Sequence, residues 1–354
     1  MVIIPFLLAL GKNKLKKQSE QKFMLWLIII FLTIISGFRS TSVGRDSLGY
    51  ATNFLNQSLE WYEPAFILLQ KILYKIWPNY TFFFTFMAFF TNYFFVMRLN
   101  DFDELGAKLH WSIFFFTMTS FSVGFNGMRQ WLSVALCFYA TRFLFCESGI
   151  KLVKYVLFTS VAISFHNSAI ISIILVLPVV LNRKRDVKVA IMRVVGLIGF
   201  LIIMVNGTEM LEIDRYGNIL NSEEANFEFG YMSIVKYFVL IMLIIDRQIQ
   251  KANGNNVGLI SNNGAIKLSY DMFLAVEFLY ISLASLSYWF GTIARIAWYF
   301  EVFETLIFAH VFTKKSNSAF IGFSRLLLIV IALAKFNGNF SITELRFPYL
   351  FFWQ

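Results

Sequence analysis

Long apolar runs decide what this chain of 354 residues can fold into. Several reach the roughly 17 to 25 residues that an α-helix needs to cross a hydrocarbon core of about 30 Å, and none alternates like a barrel strand. The composition agrees, because 58% of the residues are hydrophobic and only 15% are charged. The sequence therefore predicts an all-α, polytopic integral membrane protein.

The charge distribution and the cysteine content argue against several other classes of protein. The formal net charge is +10, but Lys and Arg stand in short runs between apolar segments, where they orient a membrane protein. Cys137 and Cys146 share one apolar segment, which argues against a disulfide framework or a cysteine-rich metal site. We therefore expect a lipid bilayer as the surroundings, no nucleic-acid partner, no cofactor and no bound metal.

The basic clusters set the predicted topology. Lysines crowd the start of the first full apolar run and place that side in the cytoplasm. Alternation from there gives about eleven transmembrane helices and an outer C-terminus, and the decapeptide MVIIPFLLAL is either a truncated twelfth helix or an interfacial stub. The predicted spans are 23–38, 79–97, 109–122, 126–146, 152–165, 168–181, 190–205, 231–247, 268–289, 294–312 and 321–336.

Three further features complete the single transmembrane domain predicted for residues 1–354. Residues 60–77 carry apolar side chains at helical spacing and two lysines on one side, which predicts an amphipathic helix on the outer surface. Residues 206–229 form an acidic outer loop. Residues 152–181 would make one helix of roughly 45 Å, so a break is predicted in SFHNS, with His166 facing a cavity that opens outward.

Charged side chains collect on the outer side of this topology. Each alone has an ordinary explanation: an arginine can snorkel to the interface, Arg295 can pair with Glu301 or with Asp46, and a buried histidine can bond a carbonyl. Four arginines on one side exceed what anchoring needs. Because guanidinium stays protonated and its forked donors match phosphate oxygens, the group predicts a diphosphate site. The group comprises Arg39, Arg45, Asp46, Glu60, Glu63, Arg129, His166 and Arg295.

Six short stretches also occur in a recognisable order. They are FRSTSVGRDSLGY, EWYEPAFILL, MRQWLSVALCFYATRFL, ISFHNSAII, ARIAWYFEVF and a closing FPYLFFW. Their order and spacing, along nearly the whole chain, resemble the EpsG family of bacterial polysaccharide polymerases, relatives in role of the Wzy proteins. Two features depart from the family: its usual first helix is cut down to MVIIPFLLAL, and Ser47 stands where related sequences often carry Thr.

The resemblance implies a fold like that of the membrane-embedded glycosyltransferases. It also implies a bacterial cytoplasmic membrane protein whose active site faces outward. The expected reaction joins oligosaccharide repeat units on undecaprenyl diphosphate to a growing exopolysaccharide or capsule chain, without a metal, and releases undecaprenyl diphosphate. A chain-length regulator is a partner implied by the family alone.

The arginines are assigned to the diphosphate. Arg129 and Arg295 are expected to bind it, while Arg45 and Arg39 complete the cradle or hold the loop. A sugar diphosphate-lipid already has a good leaving group, so positive charge on the diphosphate suffices for this role.

The acceptor hydroxyl needs a base. His166 is the first candidate, since neutral imidazole titrates near working pH. Asp46 and Glu63 are its rivals, and Asp46 could instead orient His166 or lock Arg45. Four aromatic residues are candidates for stacking on sugar faces, although interfacial aromatics are commonly belt residues. They are Trp61, Tyr62, Trp298 and Tyr299.

Two other functions are alternatives, and a metal-dependent sugar transferase is disfavoured. A metal-dependent sugar transferase would use an acidic pair such as the one in NDFDELG, but the topology places that pair inside, as a solvated loop turn. A flippase for lipid-linked sugar would line both halves of a cavity with charge. A membrane acyltransferase decorating surface glycans would place its histidine toward a cytoplasmic acyl donor.

Overall fold

A computed structural model gives the architecture of the protein. It describes residues 1–60, 62–144, 149–175, 231–252, 258–260, 267–286, 291–314, 318–339 and 349–354. By internal contacts the chain divides into two compact units, and the predicted single transmembrane domain stays a prediction. The first unit holds Met1–Ser172, Gly258–Leu268 and Glu301–Gln354, and the second holds Ile173–Val257 and Ser269–Phe300.

α-Helices make up nearly all of the described residues. Short 3₁₀ helices interrupt them at Asp103–Leu105, Phe121–Phe125 and Asn167–Leu175, and one two-stranded sheet pairs β1 (Gly258–Ile260) with β2 (Lys267–Ser269). The helices are α1 Ile3–Lys12, α2 Gln18–Gly37, α3 Ser47–Asn56, α4 Pro64–Ile76, α5 Tyr80–Asp101, α6 Leu109–Thr119, α7 Met128–Leu144, α8 Gly149–Phe165, α9 Tyr231–Ala252, α10 Tyr270–Leu286, α11 Gly291–Thr313 and α12 Ala319–Asn339.

The predicted helical membrane fold is confirmed in its coarse form. Among the described residues, four helices are long and apolar enough to cross a membrane, and shorter apolar helices accompany them; the count of about eleven is not confirmed. The predicted span 190–205 and the predicted outer loop 206–229 lie outside the described residues. The four long candidates are Gln18–Gly37, Tyr80–Leu105, Arg295–Thr313 and Ala319–Asn339.

The phenylalanine-rich helix α5 lies at the centre of the first unit, against α2 and α7. Phe95 is fully buried, and its ring centroid lies 4.9 Å from that of Phe116, 5.1 Å from that of Trp131 and 6.0 Å from that of Phe138. In lipid, apolar side chains gain little by leaving the solvent, so close packing of this kind must hold helices together. It fixes α7, whose first turn carries the candidate site.

The acidic pair of NDFDELG is not a solvated turn, so that prediction is wrong. Asp101 contacts Arg98 at 3.1 Å and Arg142 at 2.7 Å. Asp103 is buried, contacts Lys12 at 2.8 Å and accepts a hydrogen bond from the first amide of α6. Both carboxylates therefore tie helices together.

A buried ionic triad joins α11 to α12 within the first unit. Lys335 Nζ lies 3.1 Å from Glu301 Oε1 and also contacts a carboxylate oxygen of Glu304. Charges at membrane depth persist when they are paired in this way. This role of Lys335 was not predicted from the sequence, and it gives Glu301 a partner other than Arg295.

The second unit contains α9 and α10, which pack against each other. The hydroxyls of Tyr237 and Ser285 lie 3.1 Å apart and link the two helices.

Candidate functional site

Arg39 holds the loop that follows α2. Its guanidinium, in a residue only 1% exposed, donates to the Ser36 carbonyl, to Ser47 Oγ at 3.3 Å and to the Phe125 carbonyl at 3.4 Å, and it lies 4.5 Å from the Phe84 ring centroid. Burial lowers the pKa of Arg39 to about 10, so the group stays charged at neutral pH. These contacts support the loop-holding alternative and do not support a place for Arg39 in the diphosphate cradle.

Residues 349–353, the described part of the closing stretch FPYLFFW, pair with the same loop. The Ser40 N–H donates to the Leu350 carbonyl at 2.8 Å, and the Phe352 N–H donates to the Phe38 carbonyl at 2.9 Å. These two bonds form a short antiparallel bridge. The first and last family-like stretches are therefore joined by backbone hydrogen bonds.

The Gly-Arg-Asp turn of this loop docks against the segment before α7. Gly44 has φ +97°, and an added Cβ would lie 2.6 Å from the Phe125 carbonyl oxygen, so only glycine fits. The Arg45 N–H donates to Asn126 Oδ1 at 3.0 Å, while the Arg45 side chain is exposed. Asp46 is half-buried and precedes the first residue of α3.

The centre of the candidate site is an ion pair between the first turn of α7 and the start of α4. Arg129 Nη1 donates to Glu63 Oε2, while Glu63 Oε1 accepts from the Asn167 N–H at 3.1 Å. The guanidinium lies 4.9 Å from the centroid of Tyr62. Arg129 and Glu63 are only 18% and 11% exposed. The buried Nε of Arg129 has no acceptor among the residues that the structure describes.

His166 lies where α8 ends, so the predicted break falls there. Beyond it the described residues form a 3₁₀ helix to Leu175, which replaces the regular helix predicted from 168. Nδ1 of His166 accepts from the Ser168 N–H at 3.3 Å and lies 2.9 Å from Ser168 Oγ. Gln130 Nε2, next to Arg129 in α7, donates to Ser168 Oγ at 3.3 Å.

The structure thus brings part of the predicted site together in the first unit. Glu63 and Arg129 touch, His166 precedes the residue whose amide binds Glu63, and the loop with Arg45 and Asp46 is bonded three residues before Arg129.

Three predicted residues belong to the second unit. Arg295 is exposed, Trp298 is half-buried and Tyr299 is buried. Their place in the same site stays a prediction.

The predicted sugar-stacking role of Tyr62 is untested. Its ring stacks on Tyr50 with centroids 6.2 Å apart, and its hydroxyl accepts from Asn53 Nδ2 at 2.8 Å. With Arg129 also over the ring, the contacts of Tyr62 are those of a packing residue. Trp61 lies outside the described residues.

Sequence reasoning missed the residues that orient the charged groups. Asn126 positions Arg45, and the Asn167 amide binds Glu63. Ser168 contacts His166 and accepts a hydrogen bond from Gln130. The available signal was local, because Asn and Ser directly after a helix end commonly bond nearby backbone and side chains. The described residues contain no group of three or more His, Cys, Asp or Glu that could hold a metal ion.

Comparison with known protein families decides the assignment. The model of the EpsG family matches residues 22–351, a range that contains every predicted site residue. The chain belongs to the EpsG family. No curated protein and no solved structure matches it. Membership of the EpsG family indicates a membrane-embedded polysaccharide repeat-unit polymerase that acts by glycosyl transfer on lipid-linked oligosaccharides.

Proposed function

We propose that this EpsG-family protein joins oligosaccharide repeat units carried on undecaprenyl diphosphate into exopolysaccharide or capsule. The reaction takes place at the outer face of the cytoplasmic membrane and needs no metal. The observation that carries the proposal is the Arg129–Glu63 pair, together with the Asn167 amide on the other carboxylate oxygen.

The pair marks a place where an oxyanion already binds. Two independent donors, the Arg129 guanidinium and the Asn167 N–H, meet on one carboxylate. Phosphate oxygens have the same charge and the same preference for forked donors. The buried Nε of Arg129 offers a further donor that no described residue uses. The first turn of α7 adds the partial positive charge of a helix N-terminus.

Diphosphate stabilisation supplies the chemistry that the reaction requires. The acceptor hydroxyl oxygen bonds to the anomeric carbon of the donor sugar, the bond from that carbon to the phosphate oxygen breaks, and its electron pair leaves on the diphosphate. Arg129, with Arg295 and Arg45 as further proposed donors, stabilises this developing charge. The hydroxyl proton passes to a base, for which His166, Asp46 and Glu63 are the candidates.

Substrate binding would also change the ion-pair partner of the Glu63 carboxylate. A diphosphate that takes over Arg129 releases the carboxylate from its ion pair, beside the reacting groups. The released carboxylate would then be available to accept the proton of the acceptor hydroxyl.

The experiment measures glycan elongation in vesicles. Purified protein receives its cognate polyprenyl diphosphate repeat unit with EDTA, and Arg129→Lys is compared with Arg142→Lys, a matched change at the other end of α7. Wild type and Arg142→Lys should elongate the glycan. The elongation rate of Arg129→Lys should be lower by about 100-fold or more, because lysine keeps the positive charge but cannot donate two parallel hydrogen bonds. Arg295→Lys should behave like Arg129→Lys.

Two results would overturn the proposal. Normal elongation by Arg129→Lys and Arg295→Lys would remove the diphosphate assignment. Transfer of the lipid between leaflets by wild type, without elongation, would make the protein a flippase.

A further inference from the structure

The hydrogen bonds at His166 indicate which ring nitrogen carries the proton. A backbone N–H can only donate, so the bond from the Ser168 amide, at 3.3 Å, makes Nδ1 the acceptor. A neutral imidazole holds one proton, which is then on Nε2. With its proton on Nε2, the ring could act as a base only by accepting a second proton at Nδ1. That nitrogen already accepts a hydrogen bond from Ser168.

The Ser168 hydroxyl reinforces the same arrangement. Its oxygen lies 2.9 Å from Nδ1 and accepts from Gln130 Nε2 at 3.3 Å. Because Nδ1 also faces the Ser168 N–H and so carries no proton, the hydroxyl is the donor in this contact. Gln130 follows Arg129 directly in α7, so the same helix turn positions the guanidinium and the serine.

The neighbourhood of the ring indicates what the Nε2 proton serves. Residue 167, directly after His166, donates its amide to the carboxylate that Arg129 also binds. An oxyanion in the place of this carboxylate would meet Arg129 and the Asn167 amide, with the imidazole one residue away.

We propose that Ser168 is a positioning residue that holds His166 as an Nε2–H donor, and that His166 donates to the diphosphate oxygens and does not act as the base. The proposal rests on the proposed function for its ligand. It differs from the expectation drawn from the sequence, where His166 is the first candidate for base. Proton removal from the acceptor hydroxyl then falls to a carboxylate, Glu63 or Asp46.

Nitrogen NMR tests the protonation directly, without any turnover. The chain has three histidines, so ¹⁵N-histidine labelling gives few signals, and His166→Gln identifies the one that belongs to residue 166. The wild type, in lipid at a pH where the ring is neutral, should show the proton on Nε2. Ser168→Ala should show a shift of population toward the Nδ1–H form, and Ser168→Thr, which keeps the hydroxyl, should resemble wild type.

A matched control separates the hydroxyl from a general effect of serine loss. The Ser164 hydroxyl donates to the Val161 carbonyl of its own helix at 2.7 Å, so Ser164→Ala should leave the His166 spectrum unchanged. A wild-type proton on Nδ1 would overturn the proposal. An Nε2–H signal that Ser168→Ala leaves unaltered would overturn the role of the hydroxyl.

Elongation rates test the donor role. The amide nitrogen of glutamine can occupy about the position of Nε2, and that of asparagine about the position of Nδ1. His166→Gln should therefore elongate about tenfold faster than His166→Asn, the worth of one hydrogen bond to a charged group. Equal loss in both variants would overturn the donor role.

The two proposals fail differently. A wild-type protein that moves lipid without elongating it overturns the polymerase function, while an Nε2–H signal still supports the positioning by Ser168. Elongation by a protein whose His166 carries its proton on Nδ1 overturns the roles inferred for Ser168 and His166 and leaves the polymerase function in place.

Discussion

Helix α7 carries an arginine bound to a carboxylate at each end, and the two pairs are built differently. At its C-terminal end Arg142 shares Asp101 with Arg98, at 2.7 and 3.1 Å, so both carboxylate oxygens are held by guanidinium groups. At its N-terminal end Arg129 holds one oxygen of Glu63, and a backbone amide holds the other.

The difference separates a structural pair from an exchangeable one. Removal of Asp101 would leave two positive charges, and the side chain of Arg98 is fully buried. Removal of Glu63 leaves one guanidinium and one amide, which together suit any oxyanion. An arginine in a membrane helix is thus a substrate-binding candidate when its partner can be replaced by the substrate, and sequence position alone does not reveal this.

Glu63→Gln should have the largest functional effect. The variant keeps an acceptor for the Asn167 amide but loses the charge, and with it a candidate proton acceptor beside the proposed diphosphate site. We expect elongation to fall by about 10²- to 10⁴-fold, with a loss of stability of about 1–2 kcal/mol. Elongation and thermal unfolding in detergent measure the two effects. Elongation at the wild-type rate would leave Asp46 as the base.

Asp101→Asn should have the opposite profile. It removes the negative charge that Arg98 and Arg142 share. Breaking a buried ion pair lowers the free energy of unfolding by about 3–5 kcal/mol. Elongation per folded molecule should stay near wild type. Thermal unfolding of this variant and of Glu63→Gln gives the comparison, and an unfolding temperature equal to wild type would show that the two ends do not differ as described.

Gly44→Ala should act through the loop that carries Arg45. The left-handed backbone and the 2.6 Å approach to the Phe125 carbonyl leave no room for a Cβ, and a strained conformation of this kind costs about 1–3 kcal/mol. The elongation rate should also fall, because the substitution displaces the loop that carries Arg45. Gly49→Ala is the control, because Gly49 lies in α3 with open space around it. If both variants behave alike, the loop geometry is unimportant for activity.

Tyr62→Leu should have the smallest effect. It removes the ring under Arg129, a contact worth about 0.5–1 kcal/mol, and should lower kcat/KM about two- to fivefold. Tyr62→Phe keeps the ring and loses only the bond from Asn53, so it should lie closer to wild type. Equal damage in both variants would assign the effect to the hydroxyl.

The coarse fold could be predicted from the sequence because lipid imposes simple rules. Apolar runs of spanning length anticipated the long helices α2, α5, α11 and α12. The break at His166 followed from the excessive length of residues 152–181. The number of spans did not follow so readily, since helices such as α6 and α7 are short and buried among other helices, where length and hydropathy discriminate poorly.

The site was predictable in residue types but not in partners. Charged residues in an apolar chain reveal themselves as candidates, which is how Arg129, Glu63 and His166 were found. Their pairing depends on which helix ends meet, and the Lys335 triad and the Ser168 contact depend on the same tertiary packing. No local pattern in a single sequence reveals these tertiary contacts.

The bridge between the loop after α2 and the closing stretch also sets the order of events during synthesis. The Tyr349 hydroxyl bonds the Ile35 carbonyl across 314 positions of the chain, a separation that makes closure a late and entropically demanding step. Until residues 349–352 leave the ribosome, the loop that contains the Gly-Arg-Asp turn lacks these hydrogen bonds. The helices that precede this segment can therefore enter the bilayer before the loop after α2 is fixed in its final position.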